Sequence, residues 1–508
     1  MAQSEKWKTT DHGKYLWLAG IGCGTELYVP RQDLVNYTKA ILERKMFIKN
    51  PQIPGTFQDV PLPRHNIFQT LNEVKNSICS HIKLATGPFG PTVLSCMQSA
   101  DLSPAHQRKA YRTEALTMSD NVVPDKKEFY TKFFVKTEKL KKETTVPRGI
   151  DPRSKKANIW YFRWLRNLEH PLYDALNSLF SDIPSVTKGY NADQTADLIY
   201  RKWNRFNDPV FVGMDLSRFD QHISYLALKY EHSVYNEVYK CPLLAASLRE
   251  QLTTTAYATT KDGYKLRYKT HGGRCSGDAN TAMGNTLIMC SLLKHFIATR
   301  FKRNCELIDN GDDSGFIFER RDLRHFNSLN IVEFMLHYGF TLKVEAPVFV
   351  LEKIQFCQCQ PVLTNNGYYT MIRNPIVALD KDSMLLKYYT QNYVYQWFKS
   401  MGLAGLHLNS GIPIFQSFYK MYLRASPIKN GSNELLQQHE RGLYYLTKGL
   451  RNRNLVITQE TRLSFERAFD ITCEQQLYIE KIYDDMSLDL SIPRPAGGNS
   501  FPNPPPTP

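Results

Sequence analysis

Two apolar stretches in the middle of the chain end on carboxylates, and this constrains the fold more than any other feature. Pro209-Val210-Phe211-Val212-Gly213-Met214 is short and uncharged, which predicts a buried strand delivering Asp215 at its end. Glu306-Leu307-Ile308-Asp309 and Gly315-Phe316-Ile317-Phe318 flank Asn310-Gly311-Asp312-Asp313, so residues 306–319 read as a hairpin. Asn310-Gly311 suits its tight turn, because glycine tolerates positive φ. Taken alone, the acidic hairpin is an ordinary polar turn and Asp215 an ordinary helix N-cap. Their combination shifts the balance, since an unpaired carboxylate at the end of a buried strand costs free energy unless something compensates it. Phosphoryl transfer offers such compensation, with two metals about 3.5–4 Å apart held by carboxylates and substrate phosphates. Asp215, Asp312 and Asp313 are therefore candidate catalytic and metal-binding residues, with Mg2+ as the expected ion and Mn2+ as its substitute.

A second constellation concerns the sugar. Asp220 follows Asp215 closely, and Ser276-Gly277-Asp278-Ala279-Asn280-Thr281-Ala282-Met283-Gly284-Asn285 supplies a small-residue loop, hydroxyls and an amide. A ribose 2′-hydroxyl both donates and accepts hydrogen bonds, so a carboxylate and an amide engage it together. Asp220 and Asn285 are the expected pair. Ser276 and Gly277 form a loop able to approach a backbone closely, and Thr281 and Asn285 lie four apart on one helix face. The competing reading is a capped helix with polar surface residues, which suits Thr281 by itself.

The third element is basic. Between Lys126 and Lys156 there are eleven Lys or Arg against four acids. Lys136-Thr137-Glu138-Lys139 and Pro147-Arg148-Gly149-Ile150-Asp151-Pro152-Arg153 alternate fixed turns with cations. Lys136, Arg148 and Arg153 are candidates to hold a triphosphate, whose charges need neutralising as pyrophosphate leaves. A solvated basic loop is the plainer reading. Lys343, just after a helical pattern at 331–338, is a candidate to protonate the departing pyrophosphate, or a surface lysine.

The formal net charge of +15 speaks to partners, with nucleic acid the commonest reason for such an excess. Anionic membrane and acidic protein also fit. The ten cysteines lack paired zinc spacing, and no signal-peptide pattern opens the chain, so reduced thiols are expected. Cys357 and Cys359 are expected on one face of a strand. No apolar stretch reaches the ~18–20 residues of a membrane span, and Tyr15–Cys23 is too short.

Elsewhere, helices are expected around Trp160–Phe180, Leu226–Ala258, Thr286–Leu293, Met384–Met401 and Asn433–Leu450. Residues 331–338 place Ile331, Val332, Met335 and Leu336 on one helical face, ending near Gly339. Val350–Val362 reads as a strand pair. Pro493 onward, with Pro504-Pro505-Pro506, is expected to be a disordered tail. The first ~120 residues offer no functional motif.

The residues now match a family. Asp215-Leu216-Ser217-Arg218-Phe219-Asp220-Gln221-His222-Ile223-Ser224 resembles motif A of the RNA-dependent RNA polymerases of tombusvirus-like, carmovirus-type positive-strand RNA viruses. Ser276-Gly277-Asp278, Thr281 and Asn285 resemble motif B, and Gly311-Asp312-Asp313 motif C. Lys136, Arg148 and Arg153 are similar to the nucleotide-access motif F. Residues 331–345 and Val350–Pro361 sit where motifs D and E belong, with weaker matches. The recognisable span is about residues 130–362, with no clear departure in motifs A to C.

The resemblance implies an α+β right-hand polymerase fold of fingers, a palm with an antiparallel sheet, and a helical thumb. Its expected divisions are an N-terminal extension and fingers at 1–205, including the basic segment 130–156. A palm at 206–362 would carry the metal site, with a fingers insertion at about 230–268. A thumb at 363–490 and a tail at 491–508 would follow. It further implies RNA-templated RNA synthesis from NTPs. Asp215 and Asp312 would bind two metals with Asp313 beside them, Asp220, Thr281 and Asn285 would select ribose, and Ser276-Gly277 would adjust the template or nascent strand. The expected partners are single-stranded RNA template, nascent RNA, NTPs and other viral replication proteins. The expected location is host cytoplasm, at membrane-associated replication complexes reached through partners. Three other classes stay in view. A reverse transcriptase with the same palm fits less well with the Asp220–Asn285 pair and with Asn310, where that family usually carries an aromatic. A non-enzymatic RNA-binding protein explains the charge but not the ordered carboxylates. A metal nuclease shares two-metal chemistry.

Overall fold

The computed structural model describes residues 14–17, 28–50, 52–140, 145–388, 390–433, 435–436 and 441–490. Its centre is a four-stranded antiparallel sheet of β6 (Pro209–Leu216), β9 (Cys305–Asp309), β10 (Asp313–Glu319) and β11 (Leu342–Val344), in the order β11-β6-β10-β9. Alternation along these strands sends Val210, Val212, Met214, Leu216, Leu307, Phe316 and Phe318 into one core. It sends Phe211, Ile308 and Ile317 into another. Because both faces are covered, 209–214 is an unbroken apolar run rather than an alternating one. Gly213 and Gly315 face each other across β6 and β10, and a Cβ on Gly315 would collide with the Phe211 ring. The aromatic ring thus fills the space that the glycines leave.

The first core is closed by the helices Lys155–Asn177, Tyr225–Tyr239 and Thr281–Phe296. The last of these buries residues around most of its circumference, including Leu287, Ile288, Leu292, Leu293 and Phe296. The second core collects the helices Gln391–Asn409, Phe415–Ala425 and Gln459–Phe469 with the hairpin of β12 (Cys359–Leu363) and β13 (Tyr369–Arg373).

A second four-stranded sheet has the order β5-β4-β7-β8. It comprises β4 (Thr131–Val135), β5 (Gly149–Ile150), β7 (Thr253–Thr259) and β8 (Lys265–His271). One face, with Phe133, Val135, Ala256, Ala258 and Tyr268, packs on Tyr37, Ala40 and Ile41 of the helix Leu34–Ile41. Two short pairs complete the sheets: β2 (Phe47–Lys49) with β3 (Phe57–Asp59), and β1 (Lys14–Trp17) with β14 (Met384–Tyr388).

Several expectations change. Leu226–Ala258 is helical only to Leu252; the β-branched run Thr253-Thr254-Thr255 opens β7 and pairs with β8. Residues 384–388 form a strand, because β1 supplies a distant partner that local periodicity does not reveal. The helix Ile331–His337 buries Ile331, Phe334 and Met335, whereas Val332 is exposed, the larger aromatic having won the inward position. Val350–Val362 is not a strand pair. Leu351–Lys353 is a short 3-10 turn, Cys357 and Gln358 have positive φ, and β12 pairs instead with 369–373. Cys357 therefore sits in a turn rather than on a strand face with Cys359. The nine described cysteines are all free thiols. No helix among the described residues is long and apolar enough to cross a membrane. The tail from 491, with its proline run, and Cys23 lie outside the described residues.

Candidate active site

The sheet register builds the acidic centre. Asp313 opens β10 directly opposite Asp215 on β6, and Lys343 on β11 lies across from Asp215 on its other side. Asp215 is exposed although its strand neighbours Met214 and Leu216 are buried. Asp312 occupies the β9–β10 turn, where Gly311 takes φ +90°, Asn310 N–H donates to the Asp313 carbonyl (2.8 Å), and Lys188 Nζ donates to the Asn310 carbonyl (2.8 Å).

These carboxylates crowd one another in a partly dry site. Burial first, then Asp312, raise Asp313 to about 6, with Asp215 and Glu345 adding to the push. Burial, followed by the neighbouring Asp220 and Asp215, also raises Asp312. Burial and Asp215 raise Glu345, which stands two residues beyond Lys343. Beneath the turn, fully buried Asp309 accepts from Gly311 N–H (3.0 Å), and burial pushes it up to about 7. An all-oxygen cluster that resists ionisation suits a hard divalent cation. No three His, Cys, Asp or Glu side chains among the described residues converge closely enough to hold an ion unaided.

The second constellation assembles around Asp220. Ser276 Oγ donates to Asp220 Oδ2 (2.7 Å), and Asn285 Nδ2 donates to Asp220 Oδ1 (2.9 Å). The helix Thr281–Phe296 carries Asn285, and the loop ahead of it carries Ser276. Arg274 fixes the amide's direction: its Nε donates to Asn285 Oδ1 (3.1 Å), leaving Nδ2 to face Asp220. Arg274 is itself locked by Glu231 in a fully buried ion pair, and Asn280 Nδ2 donates to the same glutamate (2.6 Å). Gly284 is needed here, since a Cβ would strike both Glu231 and Arg274. Thr281 is directed elsewhere, its hydroxyl donating to the carbonyls of Cys275 (2.9 Å) and Asp278 (3.0 Å).

The basic segment divides. Arg148 is solvent-exposed and pairs with Glu138 (Nε to Oε1 2.8 Å), and Lys136 Nζ lies 3.5 Å from the same carboxylate. Hydrogen bonding to Glu138 raises Arg148, and the charge of Asp312 adds to the rise, so this guanidinium senses the acidic centre. Arg153 departs from expectation. It is buried, ion-paired to Asp278, and bonded to the Phe129 carbonyl and Thr254 Oγ1 (3.1 Å). A guanidinium so engaged has no donors left for a triphosphate. Its role here is to clamp the 276–285 loop to the basic segment, where Pro152 bridges to Gly277. A Cβ on Gly277 would come within 2.6 Å of Pro152 Cα, so only glycine allows that approach.

Lys188, Glu345, Asp309, Arg274 and Glu231 were not read from the sequence. No local spacing marks them: Asp309 bonds to nearby Gly311 but owes its burial to tertiary packing, and the others act with groups distant in the chain.

With the geometry in place, comparison with known proteins is direct. The family model described as viral RNA dependent RNA polymerase matches residues 3–491, and the chain belongs to that family. Among its relatives, the chain is 35% identical to the RNA-directed RNA polymerase of Oat chlorotic stunt virus, over 93% of this chain and 64% of that protein. It is 33% identical to that of Tobacco necrosis virus (strain A), covering 93% and 64%. For Carnation mottle virus the identity is 31%, covering 93% and 60%. The chain thus spans less than two thirds of the length of these relatives.

Proposed function

We propose that this chain synthesises RNA on an RNA template from NTPs, as the RNA-directed RNA polymerase of a positive-strand RNA virus. The observation that carries the reading is the register opposing Asp215 and Asp313, with Asp312 in the intervening turn and the Asp220–Asn285 pair next to it. The relatives' names support it.

Asp215, Asp312 and Asp313 would hold the divalent ions, Mg2+ or Mn2+. When bound, such ions polarise the reacting phosphate and stabilise the attacking and leaving oxygens. The chain's own groups do the rest. Asp220 and Asn285 receive the ribose 2′-hydroxyl, with the Asp220–Asn285 bond as the feature into which that hydroxyl inserts. Arg148 and Lys136 neutralise the triphosphate, exchanging Glu138 for phosphate. Lys343, across the sheet from Asp215, supplies a proton to pyrophosphate. Ser276 and Gly277 contact template or nascent strand, and Thr281 shapes their loop.

In a right-hand arrangement, 1–205 with the insertion 230–268 would be fingers, 206–362 palm and 363–490 thumb. Other viral proteins would bring the enzyme to membranes in the host cytoplasm. The test is nucleotide incorporation by purified protein on single-stranded RNA with Mg2+ or Mn2+. Ribonucleotide incorporation by wild type that falls at least a thousandfold in Asp312→Ala is expected; retention of activity in that variant would sink the reading.

A further inference from the structure

The sheet β5-β4-β7-β8 has one covered face and one open face. Residues alternate between them, so those opposite the Phe133–Ala256–Tyr268 core side look into solvent. Across the middle of that open face the register sets Lys132, Tyr257 and Arg267 in a row. Above it lie Phe134 and Lys265, and below it Lys269. Phe134 is 42% and Tyr257 40% exposed, unusual for aromatic side chains on a sheet.

The charge on this face is of one sign. The strands β4, β7 and β8 contain no Asp or Glu. Among the described residues, Lys132, Lys265, Arg267 and Lys269 make no ion pair, in contrast with Arg148 or Lys83, each of which has a glutamate partner. Arg267 instead sits over the Tyr257 ring at 5.5 Å, and Tyr130 lies 5.8 Å from that ring. Unneutralised cations beside flat exposed rings match a chain that carries phosphates at regular intervals and unstacked bases between them. A duplex hides its bases, and a lipid surface would not require open rings at mid-sheet. β8 also leads through Gly272-Gly273 to Arg274 and Ser276, and Arg274 N–H donates to the Asp220 carbonyl (2.7 Å).

We infer that the open face of this sheet is a platform for single-stranded RNA, holding the strand outside the catalytic centre through Lys132, Lys265, Arg267 and Lys269 and stacking bases on Tyr257 and Phe134. The inference rests on reading the chain as an RNA polymerase and names a surface for its substrate strand.

The experiment uses the full chain without NTPs and a short fluorescent oligouridylate, titrated by anisotropy over a range of salt. Compared with wild type, K265Q/R267Q/K269Q should make the slope of log affinity against log salt shallower by about 2, at ~0.7 per lost phosphate contact. Tyr257→Leu, which keeps an apolar side chain against Tyr130, should weaken binding about fivefold or more at fixed salt. All these positions are exposed, and unchanged thermal midpoints report that the fold is kept. An unchanged slope together with unchanged Tyr257→Leu affinity overturns the platform. Loss of binding to phosphatidylcholine–phosphatidylserine vesicles with RNA binding retained overturns it in favour of a membrane face. Equal weakening for a matched RNA duplex, with Tyr257→Leu silent, overturns the stacking role. Wild-type protein that binds RNA through this face but incorporates no nucleotide would instead count against the polymerase reading alone.

Discussion

Asn285 illustrates how much a single amide depends on its neighbours. Either end of the amide could face Asp220, and the wrong end would set oxygen against carboxylate; the Arg274 Nε bond selects the donor end. Arg274→Lys keeps a cation for Glu231 but loses that directed donor. The expected result is a fall of about 5–10-fold in the preference for ribo- over deoxynucleoside triphosphates, measured as a ratio of kcat/KM, from the loss of a bond of about 1–1.5 kcal/mol. If both substrates declined equally, the orienting role would be wrong. His232 makes a second case. It is buried, bonded through Nε2 to Gln251 Oε1 (3.0 Å), and burial lowers it to about 4. A base whose pKa falls on folding is protonated more readily in the unfolded chain. Its stabilising contribution is complete above the ordinary value near 6.5 and is lost as pH falls toward 4. By pH 5 the loss is about 2 kcal/mol, so the drop in stability between pH 7 and pH 5 should be smaller in His232→Gln, read from denaturant midpoints at the two pH values.

At the scale of elements, the central sheet is held by an aromatic ring lying over two glycines. Phe211→Ala would leave a void above Gly213 and Gly315 and cost about 3–5 kcal/mol, observable as a lower urea midpoint. A loss under 1 kcal/mol would mean the sheet collapses into the gap. These strands were legible because their period and their carboxylate ends are local properties: 209–216 and the 305–319 hairpin fall within a residue of expectation. So was the approach of Asn285 to Asp220, through the motifs that carry them. The environment of Arg153 is not legible in the sequence, because a Pro-Arg turn looks the same whether the guanidinium faces solvent or Asp278. Glu231 was invisible because its meaning is Arg274, 43 residues away, and tertiary approach leaves no periodic trace. The strand 384–388 has a helical pattern for the same reason, since its strand partner is the distant β1.

For the whole molecule, the basic segment reaches the C-terminal helical part. Lys139 Nζ donates to the Lys381 carbonyl and lies 5.9 Å from the Trp397 ring. Lys139→Ala should raise hydrogen exchange in 384–388 and 391–409 while leaving 209–216 unchanged; uniform exchange would show that the contact is incidental. The pairing of β1 with β14 has a further consequence, one of timing. Its two strands are separated by roughly 370 residues, and a ribosome adding about 5–20 residues per second needs on the order of 20–70 s to produce the second after the first. Throughout that interval the first strand has an unsatisfied edge, the kind of surface that chaperones capture and that aggregates recruit. The first strand of the pair thus waits for its partner throughout synthesis of the chain between them, and slower translation would lengthen that wait.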